Sequence, residues 1–477
     1  MPSQLSALLC LALTQQPADP LWSGFRGNHG CGVTDETGLP TALDPEHGLR
    51  WRVAVPAGYS SPVVAGKDVF LTGALESVQG KKVSGKLVTL CLDVATGATR
   101  WRHELEFSGT QPGNNSCAAP SPATDGKTVV ALFHHFGLVA YDTAGKELWR
   151  QPMGPFVLPH GMASSPVLED GLVVIQADQD KGSYLAAFDA TTGVQRWRVE
   201  RPGFSHSYAT PAVHRPAEGP AQVIVSGALQ VTSYALGSGE KLWWLDGPSR
   251  QTKGVPVLAG GRCYVKAFMR PLSEMHFGIS LDFDVLLGEH DHDQDHKLSR
   301  DEFGQPRMHE LWSNIDQDGD ELLDAAEWGL ATNSSRGGLF AIDPTGKGDV
   351  TGSGLAWRVE DRRSLVGVTT PVIVGATMFL LGEGGLLTSL AIADGKILKQ
   401  ARVGEPDQYF ASPVAGEGRL YLASMGGILT VVRAVPDWEV LATHALEEAE
   451  IWATPALAGK SVFVRSKEAL YRFAAPE

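Results

Sequence analysis

Short apolar segments alternate with polar turns along most of the chain, and these segments recur in one order. A small residue and a proline lead an apolar strand, as at Pro166, and a glycine turn and a second apolar strand follow. A third strand ends at Asp189, and a turn containing Gly193 then leads to Trp197. Because strand side chains alternate between the two faces of a sheet, this pattern predicts a unit of four antiparallel strands.

The unit occurs eight times. Its leading prolines are Pro62, Pro122, Pro166, Pro211, Pro256, Pro371, Pro413 and Pro455, at spacings of 60, 44, 45, 45, 115, 42 and 42 residues. One four-stranded sheet cannot bury both of its faces, so the units are expected to pack radially. This predicts an all-β fold, an eight-bladed β-propeller. The last unit lacks a fourth strand, and we expect Leu49–Val55 to provide it and close the ring.

Three residues of the unit have clear physical roles. In the turn after the third strand, an Asp such as Asp93 is expected to accept backbone N–H bonds, and Gly97 is expected to adopt positive φ. The Trp that follows, here Trp101, can cover the gap between consecutive sheets with a large apolar area. The units around Asp394 and Trp438 are degenerate versions of this pattern.

The charge of the chain is concentrated in one segment. The formal net charge is −14, and residues 282–327 contain 15 acidic and 3 basic residues, which leaves a net charge of −2 for the rest. The body of the chain has no stripe of Lys and Arg, so the sequence does not favour binding to nucleic acid or to an anionic membrane. An acidic block of this kind indicates a bound multivalent cation or a solvated loop.

Two twelve-residue stretches of this block match the calcium-binding loop of an EF-hand. Ca²⁺ prefers a shell of oxygen atoms, which such a loop provides from its positions 1, 3, 5, 7, 9 and 12. The residues at these positions are Asp291, Asp293, Asp295, Lys297, Ser299 and Glu302 in the first loop, and Asp316, Asp318, Asp320, Leu322, Asp324 and Glu327 in the second. Position 7 contributes its backbone carbonyl oxygen, so the side chains of Lys297 and Leu322 do not matter there. The sequence predicts two Ca²⁺ sites.

Position 6 of both loops departs from the usual pattern. A glycine is normal there because the turn needs positive φ, but this chain has His296 and Glu321. A residue other than Gly costs about 1 kcal/mol in that conformation, so we expect reduced affinity. Apolar residues at helical spacing predict a helix between the loops: Met308, Leu311, Trp312 and Ile315.

The acidic block interrupts the fifth unit between its second and third strands, and it sets the domain boundaries. We predict a signal peptide at 1–14, an N-terminal segment at 15–48, blades one to five at 49–272, an α-helical EF-hand pair at 282–332, and the remaining blades at 337–477. Three histidines lie among the carboxylates: His290, His292 and His296. We expect them to be exposed loop residues rather than ligands of a zinc site.

The N-terminus and the cysteines bear on the compartment. Leu5–Leu13 is a short apolar run that ends at small residues, which is typical of a signal peptide, so we expect an exported protein, periplasmic or extracellular. After cleavage four cysteines remain: Cys31, Cys91, Cys117 and Cys263. Their spacing fits either one or two disulfides or buried free thiols. No later apolar run is long enough to predict a transmembrane segment.

The repeat, with Asp and Thr-Gly ahead of a Trp, resembles that of the PQQ-like repeat propellers. These include quinoprotein alcohol dehydrogenases and the non-enzymatic outer-membrane assembly lipoprotein. Trp22–Asn28 is similar to a W-x-x-F-R-G segment of exported bacterial members. The resemblance and the two acidic loops together leave two functions open. The first is a calcium-binding scaffold with an unknown protein or small-molecule partner on one loop face, and the second is a PQQ- and calcium-dependent oxidoreductase of alcohols or sugars.

The residues favour the scaffold. Quinoprotein dehydrogenases usually carry an adjacent pair of cysteines, and the chain has none. Polar residues are expected around the opening of the propeller on the face of the insert, namely His160, Asp178, Gln179, Asp180, His206, Ser207, Tyr208, Lys253, Arg362, Arg363, Gln408 and Tyr409. We expect them to be solvated or mutually hydrogen-bonded loop residues, so we assign no catalytic residue. PQQ stays an alternative cofactor that the sequence does not favour.

Overall fold

The computed structural model describes residues 21–113, 115–249, 251–268, 280, 282–304, 312, 315–316, 320–329, 332, 337–447 and 449–475. The predicted signal peptide lies outside these residues. Strands dominate the described chain, and they form eight sheets of four or five strands that follow one another in sequence order. The predicted all-β class and the eight-bladed propeller are therefore confirmed. Within the described residues, no helix is long and apolar enough to cross a membrane.

The first four blades have these strands. Blade one contains β1 Leu21–Trp22, β4 Val63–Ala65, β5 Asp68–Gln79, β6 Lys82–Asp93 and β7 Thr99–Thr110; blade two contains β8 Ala123–Thr124, β9 Thr128–Phe133, β10 Gly137–Asp142 and β11 Glu147–Pro152; blade three contains β12 Val167–Glu169, β13 Leu172–Ala177, β14 Tyr184–Asp189 and β15 Gln195–Glu200; blade four contains β16 Ala212–His214, β17 Gln222–Ser226, β18 Gln230–Ala235 and β19 Lys241–Asp246.

The other four blades follow the same plan. Blade five contains β20 Val257–Ala259, β21 Arg262–Ala267, β24 Gly338–Ile342 and β26 Leu355–Val359, and its β25 Gly348–Asp349 joins the sheet of blade four; blade six contains β27 Val372–Val374, β28 Thr377–Leu381, β29 Leu386–Ala391 and β30 Ile397–Arg402; blade seven contains β2 Val33–Thr34, β31 Val414–Gly416, β32 Arg419–Ala423, β33 Ile428–Arg433 and β34 Val440–Ala445; blade eight contains β3 Leu49–Ala54, β35 Ala456–Ala458, β36 Ser461–Arg465 and β37 Ala469–Ala474.

The ring closes as the sequence predicts. The strand β3 pairs in antiparallel fashion with β37, from Leu49 opposite Phe473 to Ala54 opposite Ala469. A segment from near the start of the chain thus provides the fourth strand of the last blade, which joins the two ends of the chain in one sheet.

The Trp of each regular unit binds the turn of the next blade. Trp149 of blade two donates its indole N–H to the carbonyl oxygen of Ala190 in blade three at 2.8 Å. Its ring lies against Gly193, which has φ of 70°, and a Cβ added there would come within 2.6 Å of the ring. Asp189 accepts the backbone N–H of Thr192 at 2.9 Å, as expected. Equivalent indole bonds to the next blade are made by Trp51, Trp101, Trp197 and Trp357.

A ring of hydrogen bonds explains the small residue before each leading proline. The backbone N–H of this residue donates to the side-chain hydroxyl of the equivalent residue in the next blade, at 2.8 to 3.0 Å. The seven hydroxyl acceptors are Ser61, Ser121, Ser165, Thr210, Thr370, Ser412 and Thr454. The eighth position is Val255, which has no hydroxyl, so the link from blade four to blade five cannot form.

Residues 21–34 fasten several blades on one face of the propeller. The strand β1 pairs with β4 in blade one, and β2 pairs with β31 in blade seven. Between them Arg26 is fully buried, and it donates to the carbonyl oxygens of Thr370, Pro371 and Pro413 at 3.3, 2.6 and 3.1 Å. Burial lowers the pKa of Arg26 to about 10. This segment spans the channel on the face that carries the turns between first and second strands.

Blade one is taller than the others. Its strands β5, β6 and β7 have 12 residues each, whereas the corresponding strands of the other blades have five or six. This accounts for the spacing of 60 residues between the first two leading prolines. Because the extra length lies at the turn between the second and third strands, blade one and the blade-five insert rise from the same face, which we call the insert face.

Candidate functional site

The insert forms a small helical unit with its own core. Its described helices are α1 Phe283–His290, α2 Arg300–Phe303 and α3 Ala325–Gly329; a fourth helix, α4 Arg362–Leu365, lies after blade five. The side chain of Asp282 caps α1 by accepting the N–H of Asp284. The buried core of the unit consists of Phe283, Leu286, Leu298, Phe303, Trp312, Ile315, Leu323 and Trp328. Met308 and Leu311, which the sequence places on a helix, lie outside the described residues.

The two acidic loops are paired with each other. Leu298 lies opposite Leu323 and Ser299 opposite Leu322 in a two-stranded antiparallel sheet, β22 Leu298–Ser299 with β23 Leu322–Leu323. Lys297 Nζ also contacts Asp320 Oδ2 of the other loop at 2.6 Å. The pairing and the ion pair hold the two loops side by side.

Three carboxylates of the first loop converge. One oxygen each of Asp291, Asp293 and Glu302 lies within 4.8 Å of the other two. Backbone amides orient these groups: Gln294 N donates to Asp291 Oδ1 at 2.7 Å, and Ser299 N donates to Glu302 Oε2 at 2.9 Å. The bond from Ser299 is the main reason that the pKa of Glu302 is lowered to about 2. Glu302 is thus ionised at neutral pH, as an oxygen ligand of a hard cation must be.

The second loop repeats the hydrogen bonds of the first. The amide at position 6 donates to the carboxylate at position 1, from His296 to Asp291 and from Glu321 to Asp316, at 3.1 Å in both loops. The amide at position 9 donates to the carboxylate at position 12, which in the second loop joins Asp324 to Glu327 at 3.1 Å.

The remaining predicted ligand positions lie on the same two loops. Asp295 accepts the N–H of Lys297 at 2.8 Å, and Asp320 accepts that of Leu322 at 2.8 Å. Asp318 lies outside the described residues. The described part of the chain therefore places 11 of the 12 predicted residues, and it brings Asp291, Asp293 and Glu302 closest together.

Both residues at position 6 adopt the left-handed conformation. His296 has φ of 64° and Glu321 has φ of 67°. The turn thus keeps the geometry for which Gly is normally used, and each of these residues bears a backbone cost of about 1 kcal/mol.

The second loop also faces the propeller. A cavity of about 400 Å³ separates it from blades three and four, and Arg300, Asp316 and Glu321 line it on the side of the insert. The other wall is formed by Gln179–Ser183 and Pro202–Ser205. The insert therefore contacts the propeller on one side of the central opening rather than extending away from it.

Some of the polar residues predicted around the central opening are structural. Asp178 and Arg201 form an ion pair with no exposed surface, in which Arg201 Nε donates to Asp178 Oδ1 at 2.7 Å. Gln176 donates to the same carboxylate at 2.7 Å. Asp180 contacts His206. These groups hold blades three and four together, and their carboxylates are already engaged.

Others form the rim of the opening. The rings of His160 and Tyr208 lie 5.9 Å apart, and burial together with Lys253 lowers the pKa of His160. Lys266 of blade five is 4% exposed, and none of the described groups forms a hydrogen bond with its Nζ. Burial, followed by the charge of Lys253, lowers the pKa of Lys266 to about 7, and Glu383 partly offsets this.

Sequence reasoning named Tyr208 and Lys253 at the opening but missed the other aromatic residues there. The residue three places before each leading proline comes from the loop that enters a blade on the insert face, and these residues are Tyr59, Ala119, Ala163, Tyr208, Lys253, Val368, Phe410 and Trp452. Three of them form an aromatic stack across blades seven, eight and one. The centroids of Phe410 and Trp452 are 3.9 Å apart, and those of Trp452 and Tyr59 are 4.5 Å apart. The spacing from the prolines could have predicted this layer.

Comparison with known proteins assigns the chain to a family. The model of the PQQ_2 family, described as outer membrane protein assembly factor BamB, matches residues 24–156, 137–270 and 311–475. The chain belongs to this family. Residues 271–310, which include the first acidic loop, lie between the matched segments of the PQQ_2 model. A search of curated proteins finds no match.

Two solved structures illustrate the fold of this PQQ_2 propeller. BamB from Moraxella catarrhalis is 10% identical with a TM-score of 0.53, and the alignment covers 90% of this chain and 99% of that one. A europium-containing methanol dehydrogenase is 11% identical with a TM-score of 0.58, covering 95% and 98%. At this identity the likeness extends to the fold alone, which an assembly factor and a methanol dehydrogenase share.

Proposed function

We propose that the chain is an exported binding or scaffolding propeller whose blade-five insert holds Ca²⁺ in two EF-hand loops. The convergence of Asp291, Asp293 and Glu302 within 4.8 Å is the observation that carries the proposal. The second loop supports it because the same bonds join position 6 to position 1 and position 9 to position 12. Carboxylate oxygens at these positions suit Ca²⁺ better than softer metals, which prefer nitrogen or sulfur.

Charge gives the ion a structural role. Residues 282–327 carry a net charge of −12, and two Ca²⁺ ions would reduce it to −8. The ligands must be ionised in the folded insert, so metal binding and folding of the insert are coupled. The ions would then fix the insert against blades three and four.

The calcium proposal is tested by calorimetry on the full chain. We expect wild type to bind two Ca²⁺ ions, and the double variant Glu302→Gln/Glu327→Gln to lose at least tenfold in affinity at both sites because each loop loses its bidentate ligand. Asp301→Asn is the matched control, since this exposed acid precedes Glu302 at position 11 and is not a ligand. Equal heats in wild type and the double variant would contradict the proposal.

The scaffolding role is supported by the family and by the insert face. The matching family model is described as an outer membrane assembly factor, and the insert, blade one and the aromatic stack all rise around one opening. We propose that an unidentified partner binds there after export. Mass spectrometry of the N-terminus tests export: an intact Met1 on the protein in its native compartment would count against it.

The alternative is a PQQ- and calcium-dependent oxidoreductase. Its cofactor would need carboxylate ligands for Ca²⁺ at the central opening, but among the described residues the group of three close carboxylates lies in the insert. The described cysteines are all free, so no disulfide lines the opening within those residues. A quinone absorbance after addition of PQQ and Ca²⁺, with dye reduction by alcohols or sugars, would replace the scaffold proposal.

A further inference from the structure

A pocket lies between blades six and seven, beside the central opening on the insert face. It has a volume of about 630 Å³, and Gly367, Val368, Glu383 and Gly384 line it from blade six. Blade seven contributes Pro406, Asp407, Gln408, Tyr409, Phe410 and Met425. This pocket is separate from the acidic loops of the insert, and the scaffold proposal above gives it no role.

One wall of the pocket is the free face of an aromatic ring. Phe410 is stacked on Trp452 at 3.9 Å with an angle of 5° between the planes, so one of its faces is covered. Phe410 also lines the pocket between blades six and seven, so the part of the ring that Trp452 leaves uncovered is available to a ligand. Trp452 donates to Glu450 Oε1 at 2.8 Å, and Tyr59 donates to the same oxygen at 3.3 Å. These hydrogen bonds fix Trp452 and Tyr59, so the ring of Phe410 packs against a fixed neighbour.

The charged groups of the pocket lining are acidic. The lining residues include Glu383 and Asp407 but no Lys, Arg or His. Asp407 is held in place by the N–H of Gln408 at 2.7 Å and that of Gly426 at 3.0 Å. Glu383 is exposed. An aromatic face with carboxylates beside it attracts an organic cation, through its ring quadrupole and through charge.

Three cations lie near the pocket without lining it. Lys253 and Lys266 both interact with Glu383 on the side of blade five, and Arg402 donates to the carbonyl oxygen of Gly384 at the rim. These groups would compete with a bound cation for Glu383. Removal of one of these cations should therefore tighten the binding of an added cation.

We propose that the pocket between blades six and seven binds an alkylammonium group, either as a free amine or as the lysine side chain of a partner. The ammonium lies over the ring of Phe410 between Glu383 and Asp407, and its alkyl chain lies against Met425. This rests on the binding role proposed above but not on calcium, so failure of the calcium test leaves it standing.

Calorimetry with three probes of one size tests the charge preference. We expect n-butylammonium to bind to the full chain at least tenfold more tightly than n-butanol, and butyrate not to bind. A second ammonium probe is lysine with an acetyl group on its α-nitrogen and a methylamide at its carboxyl end, which keeps the butylammonium side chain free. It should bind more tightly than n-butylammonium if the natural ligand is a peptide, and less tightly if it is a free amine. Equal binding of butanol and butylammonium, binding of butyrate, or no binding of any probe would overturn the proposal.

Substitutions in and beside the pocket test whether butylammonium binds there. Phe410→Leu and Glu383→Gln should each weaken butylammonium binding by about fivefold or more, since each removes one attraction and keeps the side-chain volume. Lys253→Met should tighten it by removing a competing cation. Glu383 is exposed, so its variant is expected to fold, which a thermal melt verifies. If Lys253→Met instead weakens binding, or Glu383→Gln leaves it unchanged, the site is not the one proposed.

Discussion

At the scale of the residue, the propeller has an unusual feature, which is a buried lysine. Lys266 is 4% exposed on β21 and lies near a second lysine, Lys253. Burial without a bonded carboxylate disfavours the charged form. The folded chain therefore binds a proton at this site less tightly than the unfolded chain does.

This difference predicts how stability depends on pH. Between the folded pKa of about 7 and the higher pKa of an unfolded lysine, the unfolded chain binds more protons, so stability rises with pH in that window. Lys266→Met should therefore stabilise the protein on the order of a few kcal/mol below pH 7, and the gain should shrink towards pH 10. Denaturant melts across this range measure it.

The matched control is Lys67→Met, which replaces an exposed lysine. It should leave the pH dependence of the melts unchanged. A gain for Lys266→Met that is constant with pH would show that packing rather than charge is responsible.

At the scale of the element, the acidic loops carry backbone strain where a glycine would remove it. His296 and Glu321 hold φ of 64° and 67°. The sequence indicated this cost from residue identity alone, and the structure shows that the turn keeps its shape despite it.

Replacing these residues with glycine should strengthen the binding of Ca²⁺ by the loops. We expect His296→Gly and Glu321→Gly each to tighten Ca²⁺ binding by about fivefold, because Gly adopts positive φ without the cost of about 1 kcal/mol. Calorimetry on the single variants measures it. His292→Gly is the control, since it changes the same residue type at a position without positive φ. Weaker binding by His296→Gly than by His292→Gly would contradict the argument.

At the scale of the whole molecule, a ring of hydroxyl groups joins the blades and is interrupted once. Seven links are made, and the eighth would run from the N–H of Thr210 to residue 255. Val255 is fully buried at that point. The interruption lies next to the blade that carries the insert.

Completing the ring should stabilise the propeller. We expect Val255→Thr to raise the free energy of unfolding by about 1 kcal/mol, because its hydroxyl would accept the N–H of Thr210. Val257→Thr is the control: it buries a hydroxyl in the core of the same blade and should destabilise by about 1–3 kcal/mol. Chemical denaturation measures the free energy of unfolding of both variants. An equal loss in the two would contradict the argument that a hydrogen bond is missing at residue 255.

The sequence predicts the repeating parts of this molecule best. The leading prolines predict eight blades, and the register of Leu49 with Phe473 confirms the closure. The sequence pattern does not reveal the hydroxyl ring, because it identifies Ser and Thr before Pro only as small residues. The stack of Phe410, Trp452 and Tyr59 depends on the closed ring, since Tyr59 and Trp452 are far apart in sequence. Such contacts follow from the fold rather than from local pattern.

The pairing of β3 with β37 also determines when the ring can close as the chain is synthesised. A chain that emerges from its N-terminus presents Leu49–Ala54 long before Ala469–Ala474 exists. The propeller therefore cannot close while it is being synthesised, and β3 must wait, without its partner β37, for nearly the whole chain. A chaperone that shields this strand would act at the step that this topology delays the longest.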